Sequence, residues 1–330
     1  MKKIKIGQIG IGHNHAAAIM PAVRKFPELF EVVGYAEENE HWIDVWGKHP
    51  AYQGLERLSV EEVLERSDAI LVESDVPNLT RYAKMCVEAG KHIQMDKPAS
   101  GPLEDYAEML RIAKEKNLVV QTGYMYRSNN GIRKCLELVK EGKLGEIYSI
   151  NAEMSTFHAP EYKAWLKSFD GGAMYIFGCH LVDLILHILG EPKQITKFFK
   201  NSQLDGIDFP DNNLVVFEYE KALAKVFVSS VEVNGWGRRQ FYVSGSKGSI
   251  NVCPIENNVK VIYTDLEIAD KAHGDHCIQL DIEDIPVPCR YDGMMKDFYD
   301  FIVGNKENPF SYEHELSLKK IMDNICFDKH

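Results

Sequence analysis

The sequence predicts an α/β protein of two domains. Residues 1–123 should form a doubly wound parallel sheet, and residues 124–330 an α+β domain with a large, mostly antiparallel open sheet. Three observations support this prediction. The 330 residues are too many for one small core. Up to residue 123, short apolar runs alternate with amphipathic helical patterns, which is typical of parallel sheets. Beyond it, longer strand-like stretches between turn residues are typical of an antiparallel meander.

The first domain contains five predicted strands with helical patterns between them. The strands are 4–9, 31–36, 69–72, 92–95 and 118–122, and the helices begin near residue 13 and cover 59–66, 81–89 and 103–116. Ser59 and Glu62 have the spacing of a capping box, which marks the start of the second of these helices. Gly90 follows the third helical pattern, where a glycine commonly ends a helix.

The second domain begins with a change of pattern and has no flexible linker. Its predicted strands are 147–154, 194–200, 213–219, 222–233, 240–244 and 249–252, and its helices are 131–141, 173–189, 292–303 and 313–327. No internal repeat is visible. The boundary near residue 123 is therefore predicted from the change in hydrophobic period.

Composition and charge exclude several classes of function. The chain is 45% hydrophobic and 26% charged, as in ordinary globular proteins, and its net charge of −11 argues against general binding of nucleic acid or anionic membranes. Seven scattered cysteines without a C-x-x-C pair indicate reduced thiols and a cytoplasmic location. No run approaches the roughly 18 apolar residues of a membrane span.

A glycine-rich turn follows the first predicted strand in IKIGQIGIGHNHA. Gly10 and Gly12 are assigned to a dinucleotide, because glycine permits the tight turn and the approach of backbone N–H groups to a pyrophosphate. His13 and Asn14, next along the chain, are assigned to the same cofactor. The third glycine of the usual motif is replaced by His15, so this turn alone fits a Gly-rich turn of another βαβ protein equally well.

The end of the second strand favours NAD over NADP. Glu37 lies 25 residues after Gly12, near the position where an acidic residue binds the adenosine ribose hydroxyls. Glu38 follows it, and no arginine stands beside them. Because carboxylates repel a 2′-phosphate, we expect NAD.

Three later segments carry a resemblance to a known family. EAGKHIQMDKP, TGYMYRSNNGI and the GG…G-x-H-x-x-D segment at 171–183 resemble, in this order, the signatures of the glucose–fructose oxidoreductase/inositol dehydrogenase (Gfo/Idh/MocA) family. The resemblance implies a sugar-like substrate, oligomers packed through the second sheet, and a catalytic lysine and histidine at Lys97 and His180. It also implies that Tyr124 and Arg127 line the nicotinamide pocket, and that Pro77 belongs to the cofactor loop.

Lys97 suits acid/base chemistry by its position. Pro98 disfavours helical geometry at Lys97, so the side chain is predicted on a loop at the carboxyl edge of the sheet, where ligands bind. Desolvation and nearby positive charge can lower a lysine pKa toward neutrality. A solvated surface lysine is the alternative interpretation.

His180 shares a helix face with Asp183, and Asp183 could orient it. A core or capping histidine is the alternative. The family aspartate four residues before this histidine is replaced by Ile176. Either His180 works without that partner, or the chemistry differs from that of a simple dehydrogenase.

Other candidate residues are weaker. His158, Glu161, Tyr162 and Trp165 could line a sugar pocket or simply pack, and we assign Trp165 to the substrate. His273 and His276 look like a metal pair, but no well-spaced third ligand stands out, so no metal is expected.

We therefore expect an NAD-dependent dehydrogenase acting on the CH–OH group of a sugar, cyclitol or sugar derivative, as a homodimer or homotetramer, with no nucleic-acid or membrane partner. One alternative is a redox-neutral lyase or epimerase that uses NAD transiently. The other is a non-catalytic regulator that senses dinucleotide and sugar.

Overall fold

The computed structural model describes residues 3–204, 206–269 and 276–327. His273 of the histidine pair considered above lies outside these residues. The chain divides into two compact units, Met1–Met125 with Pro288–Lys319, and Tyr126–Val287 with Lys320–His330. Within the described ranges, no helix combines the length and apolar character needed to cross a membrane.

The first unit is built on a five-stranded parallel sheet. Its strands are β1 (Ile4–Ile9), β2 (Phe30–Ala36), β3 (Ala69–Val72), β4 (His92–Met95) and β5 (Val120–Thr122). Their order is β2-β1-β3-β4-β5, and every neighbouring pair is parallel. The connections change side between β1 and β3, which leaves a crevice at the carboxyl ends of these strands. The predicted doubly wound sheet is confirmed.

Five helices connect these strands. They are α1 (Ala16–Arg24), α2 (Glu40–Trp46), α3 (Val60–Arg66), α4 (Leu79–Glu88) and α5 (Leu103–Glu115). The predicted capping box is present, because Glu62 donates its backbone N–H to the Ser59 hydroxyl and Ser59 donates its own to the Glu62 carboxylate. Apolar side chains of α3, α4 and α5 pack with β3 and β4 in one core.

The second unit contains an eight-stranded sheet. Its strands are β6 (Ile147–Glu153), β7 (Gln194–Lys200), β8 (Asn212–Glu218), β9 (Leu223–Ser229), β10 (Gln240–Gly245), β11 (Gly248–Val252), β12 (Val261–Asp265) and β13 (Ile278–Leu280). The order is β13-β12-β11-β10-β6-β9-β8-β7. Only β6 and β9 pair in parallel among these strands, so the predicted, mostly antiparallel sheet is confirmed.

Three helices belong to the described part of this unit before residue 288. They are α6 (Asn130–Lys140), α7 (Pro160–Leu166) and α8 (Cys179–Leu189). The predicted helix 173–189 is regular only in its second part, because Met174–Gly178 forms a wider π-helical turn. π-helical turns inside helices occur often at functional sites.

The segment 288–319 belongs to the first unit and contains the C-terminal helix α9 (Asp292–Val303) and the first part of α10 (Tyr312–Cys326). The Tyr312 hydroxyl donates to the carbonyl of Leu118 at 2.6 Å, and the Gln121 side chain donates to the carbonyl of Met294 at 3.2 Å. The predicted second domain, 124–330, differs from the second unit by this segment. An amphipathic pattern reveals a helix's apolar face but not the sheet that it covers.

Candidate active site

The loop after β1 requires glycine at its tightest point. Gly10 has φ +86°, and a Cβ there would lie 2.3 Å from the backbone nitrogen of Ser74. A Cβ on Gly12 would lie 2.7 Å from Nε1 of Trp42. The turn therefore lies directly against its neighbours, and α1 begins just behind it at Ala16. This tight turn before a helix N-terminus fits the pyrophosphate of a dinucleotide.

Glu37 is tied to the same loop. One carboxylate oxygen accepts the backbone N–H of Ile11 at 2.8 Å, and the other accepts that of Asn39 at 2.9 Å. The exposed neighbour Glu38 accepts the hydroxyl of Tyr82 at 2.8 Å. The end of β2 thus presents a positioned carboxylate beside the glycine turn, as an adenosine ribose requires.

Lys97 is buried where β4 ends, with 1% of its surface exposed. Its backbone N–H donates to Oδ1 of Asp96 at 2.6 Å, and its carbonyl accepts Nε2–H of His13 at 3.1 Å. The peptide bond to Pro98 is cis. The backbone of Lys97 is therefore held from both sides by buried polar groups.

Four buried ionisable residues surround this backbone: His13, His15, Glu73 and Asp96. Nδ1 of His13 and Nδ1 of His15 lie 3.3 Å and 3.1 Å from Oδ2 of Asp96. Burial, opposed by Asp96, lowers the pKa of His15 to about 3. Burial opposes ionisation of Asp96, but the two adjacent imidazole rings hold its pKa well below the usual range. Burial and then the negative charge of Asp96 raise the pKa of Glu73 well above its usual range.

The other predicted cofactor residues follow the same strand ends. Asn14 is exposed between the two histidines. Pro77 is exposed in the short helical turn Val76–Asn78 that follows β3. Tyr124 is buried two residues after β5. The first unit thus brings most of its predicted site residues to the carboxyl edge of its sheet.

His180 lies in the second unit, in the first turn of α8, and 1% of its surface is exposed. Its ring centroid lies 5.3 Å from that of Tyr126. The Tyr126 hydroxyl donates to Glu256 at 2.7 Å, and Arg239 donates to the same carboxylate oxygen at 2.7 Å. Ile176, in the place of the family aspartate, is buried in the π-helical turn.

Arg127 is bound to Asp183 on the same helix as His180. Nε of Arg127 donates to Oδ2 at 2.9 Å, and Nη2 donates to Oδ1 at 2.6 Å. The side chains are 7% and 0% exposed. This two-point ion pair engages both carboxylate oxygens, so Asp183 positions Arg127.

Trp165 belongs to a cluster of aromatic rings. The imidazole of His158 is nearly parallel to the rings of Tyr162 and Phe177, with centroid distances of 4.7 Å and 5.1 Å and interplanar angles of 16° and 11°. Tyr162 and Phe177 are themselves 6.2 Å apart, and Trp165 packs at a tilt of 51° against Tyr162, at 5.1 Å. Burial and then the positive charge of Arg239 lower the pKa of His158 to about 4. Packing among these rings is therefore present, whatever ligand they contact.

Sequence reasoning missed the chemical roles open to His15, Glu73 and Asp96. A signal existed, because Glu73 directly follows β3 and Asp96 directly follows β4, at the edge where ligands collect in such sheets. Arg239 and Glu256 gave no such signal, because they come from distant loops of a meander.

Comparison with known proteins agrees with both units. Residues 4–124 match the profile of the oxidoreductase family, NAD-binding Rossmann fold, and residues 132–251 match the GFO/IDH/MocA C-terminal domain. The chain is 27% identical to the scyllo-inositol 2-dehydrogenase (NADP⁺) of Bacillus subtilis over 177 residues, which cover 52% of this chain and 49% of that protein. It is 26% identical to the 2,7-anhydro-N-acetylneuraminate hydratase of Escherichia coli over 179 residues, which cover 49% of this chain and 45% of that protein.

A solved structure has the same fold over nearly the whole length. The crystal structure of an oxidoreductase from Agrobacterium radiobacter, in complex with NAD⁺, L-tartaric acid and magnesium, aligns with a TM-score of 0.80 at 14% identity. The alignment covers 98% of this chain and 95% of that one. With both family profiles matched in order, the resemblance of the Lys-Pro and G-x-H segments is confirmed, and the chain belongs to the Gfo/Idh/MocA family of oxidoreductases with an NAD-binding Rossmann domain.

Proposed function

We propose that this chain is an NAD-dependent oxidoreductase acting on the CH–OH group of a sugar, cyclitol or sugar derivative, with Lys97 and His180 as its acid/base residues. The buried position of Lys97 carries the proposal. A lysine side chain that is 1% exposed at the carboxyl end of β4 needs a reason to be there, because burying its charged form is costly, and burial favours the neutral amine that can accept a proton.

The proposed roles follow from chemistry at a hydroxyl-bearing carbon. When bound, the nicotinamide accepts or returns a hydride. Lys97 takes the hydroxyl proton. The hydrogen bonds of its backbone to Asp96 and His13 fix the position of its Cα atom, from which the side chain extends. His180 acts as the second proton carrier and hydrogen-bonds the substrate. Its ring orientation is limited by the adjacent Tyr126 ring.

Binding is assigned to the residues predicted from the sequence. We assign the cofactor to Gly10, Gly12, His13, Asn14, Glu37, Pro77, Lys97 and Tyr124, and the substrate to Lys97, Arg127, Trp165 and His180. For Arg127, the two-point ion pair with Asp183 fixes the position of the guanidinium group.

A sugar-like substrate is supported by the cluster of rings formed by His158, Tyr162 and Trp165. Aromatic side chains with a few polar groups are the usual lining of small-molecule sites. The relative that is named as a scyllo-inositol dehydrogenase also favours a polyhydroxylated ring.

Ile176 favours a second candidate, a redox-neutral enzyme. Its buried aliphatic side chain can neither accept a proton nor polarise His180. Transient oxidation at one carbon would acidify a neighbouring C–H bond, elimination or epimerisation would follow, and the hydride would return. One relative is named as a hydratase, and addition or elimination of water is a reaction without net oxidation.

A screen of sugars, polyols and sugar derivatives with NAD⁺ tests both candidates. A steady rise in absorbance at 340 nm supports the dehydrogenase, and product without net NADH supports the redox-neutral enzyme. Binding of NAD⁺ and sugar with neither signal would contradict both and favour a non-catalytic regulator.

We also propose a homodimer or homotetramer packed through the eight-stranded sheet. Large apolar side chains are exposed on one face of this sheet: Phe198 is 48% exposed and Leu223 58%, and the strand register places both on the same side. An open sheet face of this kind is commonly covered by a partner. Light scattering that shows only a 37.6 kDa monomer at micromolar concentration would contradict this proposal.

We propose a cytoplasmic location, without nucleic-acid or membrane partners. All seven cysteines are free thiols, which suits a reducing compartment. The net charge of −11 disfavours polyanionic partners. Cell fractionation that finds the protein outside the cytosol would contradict the location.

A further inference from the structure

Four metal-ligating side chains converge from three adjacent strand ends. His13 and His15 follow β1, Glu73 follows β3, and Asp96 follows β4, and these strands are neighbours in the sheet. They are 3%, 8%, 0% and 0% exposed, respectively. Two imidazoles and two carboxylates therefore meet in one buried place, supported by rigid strands.

The distances among these groups suit one small cation. Oδ2 of Asp96 lies 3.1 Å from Nδ1 of His15 and 3.3 Å from Nδ1 of His13. One ligand atom from each of these three residues lies within 4.8 Å of the others. Metal–ligand bonds of about 2.0–2.2 Å in a tetrahedral site put ligand atoms about 3.3–3.5 Å apart. Only small side-chain shifts would then be needed.

The contact between His13 and Asp96 needs a proton or a cation. Nε2–H of His13 is donated to the Lys97 carbonyl, so Nδ1 is the ring nitrogen that faces Oδ2 of Asp96 at 3.3 Å. Nδ1 of His13 also lies 3.2 Å from the backbone nitrogen of His15, and Nδ1 of His15 lies 3.2 Å and 3.1 Å from the two oxygens of Asp96. A metal ion among these atoms would satisfy the lone pairs that a proton would otherwise satisfy.

Glu73 is a second, independent observation. Both of its carboxylate oxygens are buried without a hydrogen-bond partner, and Oε2 lies 3.9 Å from Nδ1 of His13. A buried carboxylate without a partner is costly. Its position beside His13, with the charge of Asp96 nearby, is explained if it completes a set of ligands.

We propose that His13, His15, Asp96 and Glu73 form a site for one divalent transition-metal ion, of which Zn²⁺ is the best match. Imidazole and carboxylate ligands are those that bind zinc, and the two carboxylates offset its charge. Two of the ligands, His13 and Asp96, also hydrogen-bond the backbone of Lys97. The metal would therefore link three strand-end loops and hold the Lys97 backbone in place. This role is independent of the substrate and of the reaction type.

Titration of the untagged, chelator-treated full-length protein with Zn²⁺ tests the site. Calorimetry should give one ion per chain with a dissociation constant in the micromolar range or below, and saturating Zn²⁺ should raise the Tm. Anomalous scattering from a zinc-soaked crystal should place the ion among the four side chains. Absence of stoichiometric binding, or an ion located elsewhere, would overturn the proposal and leave the cluster to be neutralised by protons.

Two variants and one control identify the ligands. Loss of a group that only hydrogen-bonds a metal ligand typically weakens metal binding by about 10–100-fold. His15→Ala and Asp96→Asn remove ligands themselves, so each should weaken Zn²⁺ binding by at least that factor. His276→Ala should leave binding unchanged, because it removes a histidine that is not among the four proposed ligands. Circular dichroism checks folding, and His15→Gln replaces His15→Ala if the latter does not fold. If His276→Ala loses Zn²⁺ binding while the other two variants retain it, the metal binds at His276 and not at the proposed site, and the proposal is wrong.

Discussion

The surroundings of Lys97 and of His180 differ in kind. Around Lys97, the first unit collects His13, His15, Glu73 and Asp96, all ionisable and nearly all fully buried. Around His180, the second unit places the ring of Tyr126 and the buried aliphatic Ile176. The two proposed acid/base groups therefore sit in a charged and an aromatic, partly apolar environment, respectively. Oppositely biased environments are how enzymes assign different proton roles to two groups.

Their structural supports differ as well. The Lys97 backbone is held by side chains from neighbouring strand ends of a parallel sheet. His180 depends on α8, whose first turn follows a π-helical turn and whose Asp183 is paired with Arg127. We infer that single substitutions near Lys97 act mainly on chemistry, whereas those near His180 act on chemistry and stability together. Four predictions test this contrast.

The largest expected effect is that of Lys97→Ala. It should lower kcat by about 10⁴ or more, the upper end for loss of a positioned acid/base group, and leave NAD⁺ affinity within about tenfold, or about 1.4 kcal/mol. The pyrophosphate and adenosine contacts are assigned to Gly10, Gly12 and Glu37, which do not depend on this side chain. Steady-state kinetics and calorimetry measure the two quantities.

Lys91→Ala is the matched control. Lys91 precedes the same strand at its opposite end, and its ammonium donates to the carbonyl of Ser67 at 2.8 Å. It should retain wild-type turnover. Near-wild-type turnover of Lys97→Ala would remove Lys97 from the mechanism.

The sequence allows a better prediction of which residues lie near Lys97 than of which residues lie near His180. The ends of β1, β3 and β4 were predicted to the residue, and in a parallel sheet this is enough to bring their following residues together. In the second unit, the residues around Tyr126 come from loops whose meeting depends on the register of an eight-stranded sheet. Local patterns do not encode that register.

Missed elements have physical reasons. α2 has no buried residue, so it shows no apolar periodicity to predict from. β12 and β13 are five and three residues long, at one edge of the large sheet, where one-sided burial gives a weak alternation. The π-helical turn at Met174–Gly178 has the same apolar composition as a regular helix, so sequence pattern could not separate them.

His180→Ala should lower kcat by about 10²–10⁴, the usual contribution of a positioned acid/base group. If His180 only hydrogen-bonds a substrate hydroxyl, KM should rise while kcat stays nearly constant. Steady-state kinetics across a pH series separates the two roles. His187→Ala, on an exposed position of the same helix, is the control and should leave both constants unchanged.

An unchanged kcat together with an unchanged pH profile for His180→Ala would show that His180 is a binding residue. The first unit would then supply the catalytic residue, Lys97, and the second unit would supply only substrate-binding residues.

Asp183→Asn should destabilise the protein by about 3–5 kcal/mol, because it removes the negative charge that pairs with the buried Arg127 guanidinium. The change keeps the size of the side chain, so the loss reflects charge. Urea unfolding measures it. Glu146→Gln is the control. It breaks the 3.0 Å ion pair between Glu146 and Lys221, whose two side chains are 63% and 72% exposed, respectively. It should lower the free energy of unfolding by about 0–1 kcal/mol. Equal effects of the two substitutions would contradict the structural role given to Asp183.

The smallest expected effect concerns the cofactor. We expect NAD⁺ to bind at least about tenfold more tightly than NADP⁺, a difference of about 1.4 kcal/mol. Glu37 is held beside the glycine turn by the backbone N–H groups of Ile11 and Asn39, so its carboxylate cannot easily turn away from a ribose bound there. A 2′-phosphate would bring a second negative charge to that carboxylate, with Glu38 adjacent. Glu37→Gln removes the charge and keeps one acceptor oxygen in place of two, so it should narrow the preference by strengthening NADP⁺ binding relative to NAD⁺ binding. Glu40→Gln is the matched control. Glu40 begins α2 with its side chain 80% exposed, so this change should leave the ratio of NADP⁺ to NAD⁺ affinity unchanged.

Either preference is possible in relatives of this chain, since the Bacillus subtilis relative is named for NADP⁺. Calorimetric titration of both cofactors decides it: equal or tighter binding of NADP⁺ by the wild-type protein would show that the two glutamates do not set the preference.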